Sequence, residues 1–247
     1  MADSFTFPGI GTVVNVLAII AGGLLGSFFG RFLGDRQQDA LAKASGVCVL
    51  FLGISGALEE MVRVEGDRIA GGHSMLLILS LVLGTLIGEF LDIERHLEEF
   101  GEWLKIKSGN AKDNLFIEGF LTASLTVCVG AMAIVGSIQD GILGDPSTLI
   151  AKAVLDFIII VAMTGSLGKG CAFSAVPVAI LQGSVTLLSR LISPLMTDQA
   201  LANLSMVGSV MIFCVGVNLV WGRKIRVANM LPGLVIAAAF AFTPWAL

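Results

Sequence analysis

Apolar stretches close to 20 residues long recur along almost the whole chain, separated by short polar segments. A helix needs about 20 apolar residues to cross the hydrocarbon core of a bilayer. With 55% hydrophobic and 14% charged residues, the composition is more apolar than that of a typical soluble domain. The sequence therefore predicts an all-α, polytopic transmembrane helix bundle that forms one integral membrane domain over residues 1–247. The lipid bilayer is its expected surroundings, and nucleic-acid binding has no support.

Hydropathy predicts about eight spans, near residues 11–33, 45–62, 74–92, 115–138, 147–166, 171–192, 203–222 and 229–246. Between the third and fourth spans, residues 93–107 alternate apolar and charged positions with helical periodicity. This pattern is typical of an amphipathic helix that lies at the membrane interface.

The distribution of Lys and Arg predicts the orientation, because cytoplasmic loops retain positive charge during insertion. One set of alternate loops holds eleven of the fifteen basic residues, namely Arg31, Arg36, Lys43, Arg95, Lys105, Lys107, Lys112, Lys169, Arg223, Lys224 and Arg226. With eight spans, both termini then lie on the non-cytoplasmic side of a bacterial inner (plasma) membrane. The acidic loop that contains Asp140 and Asp145 is expected on that side too.

Two parts of the sequence resemble each other at a spacing of about 160 residues. Residues 38–42 (Gln-Asp-Ala-Leu-Ala) match residues 198–202 (Asp-Gln-Ala-Leu-Ala). An odd number of crossings separates the copies, so they would have opposite directions across the membrane. This predicts an inverted-topology repeat with halves near 11–92 and 171–246, an arrangement common in secondary transporters. Chance similarity between short Ala-, Leu- and Gly-rich strings is the alternative.

Glycines at four-residue spacing form strips on two predicted helices: Gly22, Gly26 and Gly30 on the first, Gly84 and Gly88 on the third. Such strips allow two helices to approach closely. We expect them to mediate helix packing, and they are also candidates for contacts in a homo-oligomer.

Asp156 is the strongest candidate site residue, because a charge in the middle of a membrane span is costly and usually faces a partner or a watery cavity. Lys152 precedes it by one helical turn on the same face. A simple internal ion pair is one interpretation. The other is a site that binds a cation or exchanges a proton, where Lys152 shifts the pKa of Asp156.

A glycine-rich run at residues 128–145 can interrupt a helix, and its polar residues Ser137, Gln139 and Asp140 are further candidates for binding a substrate or ion. Interrupted helices are tolerated at membrane depth only where protein or a water-filled cavity surrounds the backbone. Gln182 and Asn218 are neutral polar residues in later spans. They either line the same space or form interhelical hydrogen bonds.

No catalytic, metal or cofactor site is predicted, and the chain is not expected to be an enzyme. The four cysteines form no CxxC pair, and neither His73 nor His96 lies in the middle of a span. A HExxH motif and a nucleotide-binding motif are both absent from the sequence.

Several of these residues together resemble a known family. They are Gly11-Thr12 with Asn15, the run 128–145, Lys152 with Asp156, Ala175-Val176-Pro177 with Gln182-Gly183, and Asn218-Leu219 before residues 224–232. The combination is similar to the YqgA-like family of bacterial inner-membrane proteins, over essentially the whole chain. The resemblance implies a multi-spanning protein of an uncharacterised family and supplies no site residues.

The function that the sequence favours is a secondary transporter or channel for a small ion or solute, with a polar site near spans four to six. A membrane scaffold or sensor subunit that transports nothing is the alternative. An intramembrane enzyme has less support, because no catalytic constellation is visible.

Overall fold

The computed structural model describes residues 8–30, 32–65, 68–72, 74–128 and 131–243. The helices within these residues are α1 (Ile10–Gly30), α2 (Asp35–Met61), α3 (Ser74–Leu91), α4 (Ile93–Lys107), α5 (Phe116–Cys128), α6 (Ala131–Leu143), α7 (Ser147–Leu167), α8 (Ala175–Leu187), α9 (Ser189–Ile192), α10 (Asp198–Trp221) and α11 (Pro232–Phe240). Short 3-10 segments cover Lys169–Ser174, Ser193–Leu195 and Val227–Met230. A two-stranded antiparallel hairpin, β1 (Val62–Glu65) and β2 (Arg68–Gly71), joins α2 to α3.

The prediction of a transmembrane helix bundle is confirmed. In the described part of the chain, six helical segments are long and apolar enough to cross a bilayer, and α5 with α6 makes a seventh if this bent pair is one span. A shorter apolar segment, Val227–Phe240, occupies the place of the predicted eighth span. The predicted count of about eight is therefore roughly consistent with the structure. Residues 244–246 of the eighth span lie outside the described residues.

Some predicted boundaries were wrong. The helix α6 continues to Leu143, so Gln139 and Asp140 lie in a helix and not in an external loop. Helix α2 begins at Asp35, because the polar residues before the apolar stretch continue the same helix. The hairpin of β1 and β2 was not predicted, since a short polar pair of strands has no hydropathy signal.

The chain divides into two compact units. Unit 1 takes its described residues from Met1–Ala42, Leu104–Cys128 and Met132–Leu195. Unit 2 takes its described residues from Lys43–Trp103, Val129–Ala131 and Met196–Leu247. The single membrane domain and the repeat halves stay predictions.

Helices α1 and α7 pack closely in unit 1. A Cβ placed on Gly22 would lie 2.8 Å from Phe157 O, and one on Gly26 would lie 2.6 Å from Val161 O. Residue numbers rise together along the two helices, so α1 and α7 run parallel. Alternate spans have opposite directions, so parallel helices fit if α1 is the first span and α7 the fifth. That count holds if the bent pair α5–α6 crosses the membrane once.

The glycines of unit 2 bring two further helix pairs together. A Cβ on Gly88 would overlap with the backbone carbonyl of Asn229, and one on Gly84 would overlap with Gly233 at the start of α11. Gly53 in α2 lies against α10, where a Cβ placed on Gly53 would be 2.7 Å from Ser209 O. Both glycine strips thus pack within one chain. A homo-oligomer stays a prediction, and it would need another surface.

Candidate functional site

A buried ion pair lies inside unit 1, where α1, α5 and α7 meet. Lys152 and Asp156 are 6% and 4% exposed, and the Lys152 ammonium pairs with Asp156 Oδ2. The same ammonium donates to the carbonyl oxygen of Val127 at 2.8 Å. Asn15 Nδ2 in α1 donates to Asp156 Oδ2 at 3.0 Å. The i,i+4 spacing predicted the pair itself, and tertiary packing added the partners from α1 and α5.

The Val127 carbonyl is available because α5 ends one residue later, at Cys128. The last four carbonyls of a helix have no partner inside that helix. Helices α5 and α6 are inclined by 61° to each other, which agrees with the interruption expected in the run 128–145. Residues 129–130 lie outside the described residues. The charged pair therefore binds directly to the end of an interrupted span.

Asp140 is a second buried acidic residue of unit 1, and it is fully shielded from solvent. Its Oδ2 accepts the Gly11 amide at 3.0 Å, near the first turn of α1. Its Oδ1 has no hydrogen-bond partner among the described residues. A Cβ placed on Gly11 would lie 3.0 Å from Asp140 Oδ2 and 2.8 Å from Leu149 Cβ. Asp140 therefore lies beside the turn of α7 that precedes Lys152.

Several other polar atoms in unit 1 are buried without a partner in the described residues. They are Asn15 Oδ1, Thr12 Oγ1, Ser124 Oγ, Thr164 Oγ1, Thr186 Oγ1 and both amide atoms of Gln182, a residue that is 1% exposed. Each such atom costs about 1–3 kcal/mol when it is left without a hydrogen bond. Gln182 belongs to α8, which packs against α1 and α5. Buried polar atoms without partners need an explanation, and a ligand path is one.

Ser137 and Gln139 make local hydrogen bonds. Ser137 Oγ donates to Ala133 O at 2.6 Å within α6. Gln139 Oε1 accepts from Thr148 Oγ1 at 2.7 Å, which ties the end of α6 to the start of α7. Both side chains therefore have bonding partners, and their part in a site stays a prediction.

Asn218 lies in unit 2 and closes the loop that follows α10. Its Oδ1 accepts the amides of Lys224 and Ile225 at 2.8 and 3.0 Å, and its Nδ2 donates to Ile225 O at 2.7 Å. The structure thus uses both ends of this side chain within one loop. Its predicted place in the polar site stays a prediction.

A pocket of about 330 Å³ lies at the other end of α1 and α7, away from Asp140. Its lining includes Gly30, Gln38, Asp113, Thr164, Gly165 and Lys169. The Lys152–Asp156 pair lies along α7 between this pocket and the turn beside Asp140.

Sequence reasoning missed a charged cluster in unit 2. Glu94 is buried at the start of α4, where its carboxylate binds the Arg223 guanidinium and accepts the Ala228 amide at 3.2 Å. Burial alone would lower the pKa of Arg223, but hydrogen bonds and charges from Glu94 and Glu98 outweigh burial and raise that pKa. The opposite charges of the two segments, both expected on the cytoplasmic side, were the signal that could have found this cluster.

Asn229 extends the same cluster. Its Oδ1 accepts the Glu94 amide at 2.7 Å, and its Nδ2 donates to Glu89 Oε1 at 2.8 Å. Arg226 binds Glu89 Oε2 at 3.0 Å. This cluster holds the junction of α3 and α4 against the segment that precedes α11.

In the described residues, no group of three or more His, Cys, Asp or Glu side chains gathers in a way that could hold a metal ion.

The apolar helices and the charged group within them define a multi-pass membrane protein. The chain belongs to the family described as "Protein of unknown function (DUF554)", whose model matches residues 10–242. It is 28% identical over 232 residues to the Bacillus subtilis (strain 168) protein described as "Uncharacterized membrane protein YdfK", across 94% of this chain and 95% of that protein. It is 27% identical over 242 residues to the Escherichia coli (strain K12) "Uncharacterized protein YqgA", across 96% and 98% of the two chains. No solved structure matches.

These comparisons confirm the resemblance to the YqgA-like family. The descriptions of both relatives give no activity and no substrate.

Proposed function

We propose that this protein is a secondary transporter or channel for a small ion or solute, with its path through the polar group of unit 1. The observation that carries the proposal is the buried Lys152–Asp156 pair, which sits inside a span and binds the end of an interrupted helix. Charged groups at this depth are expensive, and they commonly mark the pathways of substrates and ions.

Further observations support a path along α7. Asp140 lies beside the first turns of α7, and the pocket of about 330 Å³ lies beside its last turn. Asn15 Oδ1 and the amide of Gln182 add buried polar atoms in unit 1 that no described residue satisfies. Such atoms would be costly in a purely structural core, whereas a polar solute could satisfy them during passage.

The proposal includes a location in the bacterial inner membrane with both termini on the non-cytoplasmic side. Its support is the asymmetry of Lys and Arg among the loops. In this orientation the pocket that contains Lys169 opens toward the cytoplasm, and Asp140 lies near the opposite side. No catalytic step forms part of the proposal, since nothing in the polar group pairs a nucleophile with a base.

Flux through purified protein in liposomes tests the proposal. The panel comprises alkali cations, protons and small organic anions, and it compares the parent with Asp156→Asn. We expect the parent to move at least one solute faster than empty liposomes, and Asp156→Asn to lose about tenfold or more of that flux. A lost charged hydrogen bond of about 1.5–3 kcal/mol corresponds to that range.

Glu99→Gln is the matched control, because Glu99 is an exposed carboxylate on α4. It should keep the flux of the parent. A parent that moves no solute faster than empty liposomes, or an Asp156→Asn variant as active as the parent, would contradict the proposal.

A further inference from the structure

The charges buried in unit 1 do not balance. Its buried charged side chains among the described residues are Asp140, Lys152 and Asp156, which are two carboxylates and one ammonium. The Lys152 ammonium is engaged by Asp156, so among the described residues Asp140 has only the Gly11 amide as a hydrogen-bond partner. An ion without compensation in a low-dielectric interior costs several kcal/mol. One further positive charge would balance this group.

The position of Lys152 allows it to serve both carboxylates. Asp140 lies beside Leu149, which precedes Lys152 by three residues on α7. In the structure Lys152 binds Asp156, one turn toward the C-terminus, whereas side chains on a helix also lean toward the N-terminus, which for Lys152 is the turn of Leu149. Lysine carries its charge on a flexible four-carbon stem. In that second position the ammonium would meet the Oδ1 of Asp140, which has no partner among the described residues.

The oxygens around the ammonium suit a metal cation. In the structure, Lys152 Nζ binds Asp156 Oδ2 and Val127 O. Asn15 contacts the same Asp156 oxygen through Nδ2, and its Oδ1 has no partner among the described residues. Carboxylate and carbonyl oxygens are the ligands of hard cations. Replacement of one ammonium by one cation keeps the charge beside Asp156 constant only if the cation is monovalent. A proton would need a single oxygen and would leave the others unsatisfied.

We propose that the substrate of the path is a monovalent metal cation that competes with the Lys152 ammonium for Asp156 Oδ2 and Val127 O, and that gains the unpartnered Asn15 Oδ1 as a ligand when the Asn15 amide turns over. This inference rests on the proposed transport function. When the cation binds, Lys152 moves to Asp140, and when the cation leaves, Lys152 returns. In the cation-free protein, the Lys152 ammonium neutralises the Asp156 carboxylate. The cation-free protein can then change conformation and complete the transport cycle.

Lys152→Met tests the exchange in two measurements on the full-length protein. The first is binding of ²²Na⁺ and ⁸⁶Rb⁺ in detergent. The Lys152 ammonium occupies the site in most molecules, so its removal should raise the apparent affinity for the cation about tenfold. The second compares net efflux into cation-free buffer with exchange against external cation. Net efflux should fall about tenfold or more relative to exchange, because the variant has no internal charge to replace the cation.

Two companion variants complete the experiment. Lys107→Met removes an exposed lysine and should behave like the parent in both measurements. Asp140→Asn/Lys152→Met leaves one buried carboxylate, so it carries the same test if the single variant does not fold. This double variant should bind the cation as tightly as Lys152→Met does. Adding Asp156→Asn to it should abolish cation binding.

The outcomes separate the two proposals. The competition is overturned, and transport is left standing, if the parent shows flux and Lys152→Met matches the parent in cation affinity and in the ratio of net efflux to exchange. Cation binding that tightens in Lys152→Met without flux in the parent overturns transport and leaves the cation site. Proton uptake with no metal-ion binding in any variant overturns the assignment of the substrate.

Discussion

Unit 1 and unit 2 both bury charge against closely packed helices, but they satisfy that charge differently. In unit 2, the buried Glu94 carboxylate meets Arg223, whose side chain is 48% exposed, and the Ala228 amide fills its other oxygen. In unit 1, Lys152 and Asp156 are both buried, and Asn15, Asp140 and Gln182 retain atoms without partners. The Glu94 carboxylate has partners for both of its oxygens at a helix junction, which indicates a structural clamp, although Ser80 Oγ and Asp92 Oδ1 of unit 2 have no hydrogen-bond partner among the described residues. Incomplete bonding inside a span indicates a site.

The largest effect that separates the units should come from breaking the pair in unit 1. Lys152→Met or Asp156→Asn should lower the free energy of unfolding by about 3–5 kcal/mol, because each leaves buried polar groups uncompensated. The double variant should lose less than the sum of the two, since neither charge is then stranded. Reversible unfolding in mixed detergent measures the cycle. Additive losses would show that the two side chains are not coupled.

Helix packing in unit 2 should give a smaller effect. Gly88→Ala places a methyl group into the Asn229 carbonyl, so α3 must shift from that segment, at a cost of about 1–3 kcal/mol. The control is Gly183→Ala on α8, where the built Cβ meets nothing within 4 Å. Ala favours the helix at that position, so the control should be neutral or up to about 1 kcal/mol more stable. Thermal unfolding of both variants measures the difference, and equal destabilisation would contradict it.

The clamp should give a loss of stability similar to that of Gly88→Ala, and the surface should give the smallest. Glu94→Gln should cost about 1.5–3 kcal/mol of stability, as expected for hydrogen bonds to a charged group, and should leave flux unchanged. Glu99→Gln, which breaks the exposed pair with Arg95, should cost less than about 0.5 kcal/mol. Unfolding and flux measured on the same preparations check both. Loss of flux in Glu94→Gln, with the protein still folded, would show that unit 2 is more than a clamp.

The sequence was most informative where the physics is local. Apolar runs near the length of a bilayer predicted the spans, and the i,i+4 spacing of Lys152 and Asp156 predicted their ion pair. The glycine strip on α1 predicted a close helix contact without naming its partner. Asn15 could have been found by the same rule as Asp156, since it is a polar residue inside an apolar span.

Only the tertiary structure decided which distant groups meet. Sequence patterns report the periodicity of one helix, whereas the partners of a buried charge are set by contacts between segments more than a hundred residues apart. Asn15 and Asp156 are an example of such partners, and so are Gly11 and Asp140. Asp140 changed from a loop residue to a buried carboxylate because α6 continues and packs beside the first turns of α1 and α7. The sequence determined that charge lies within the membrane, and the packing of α1, α5 and α7 determined what surrounds it.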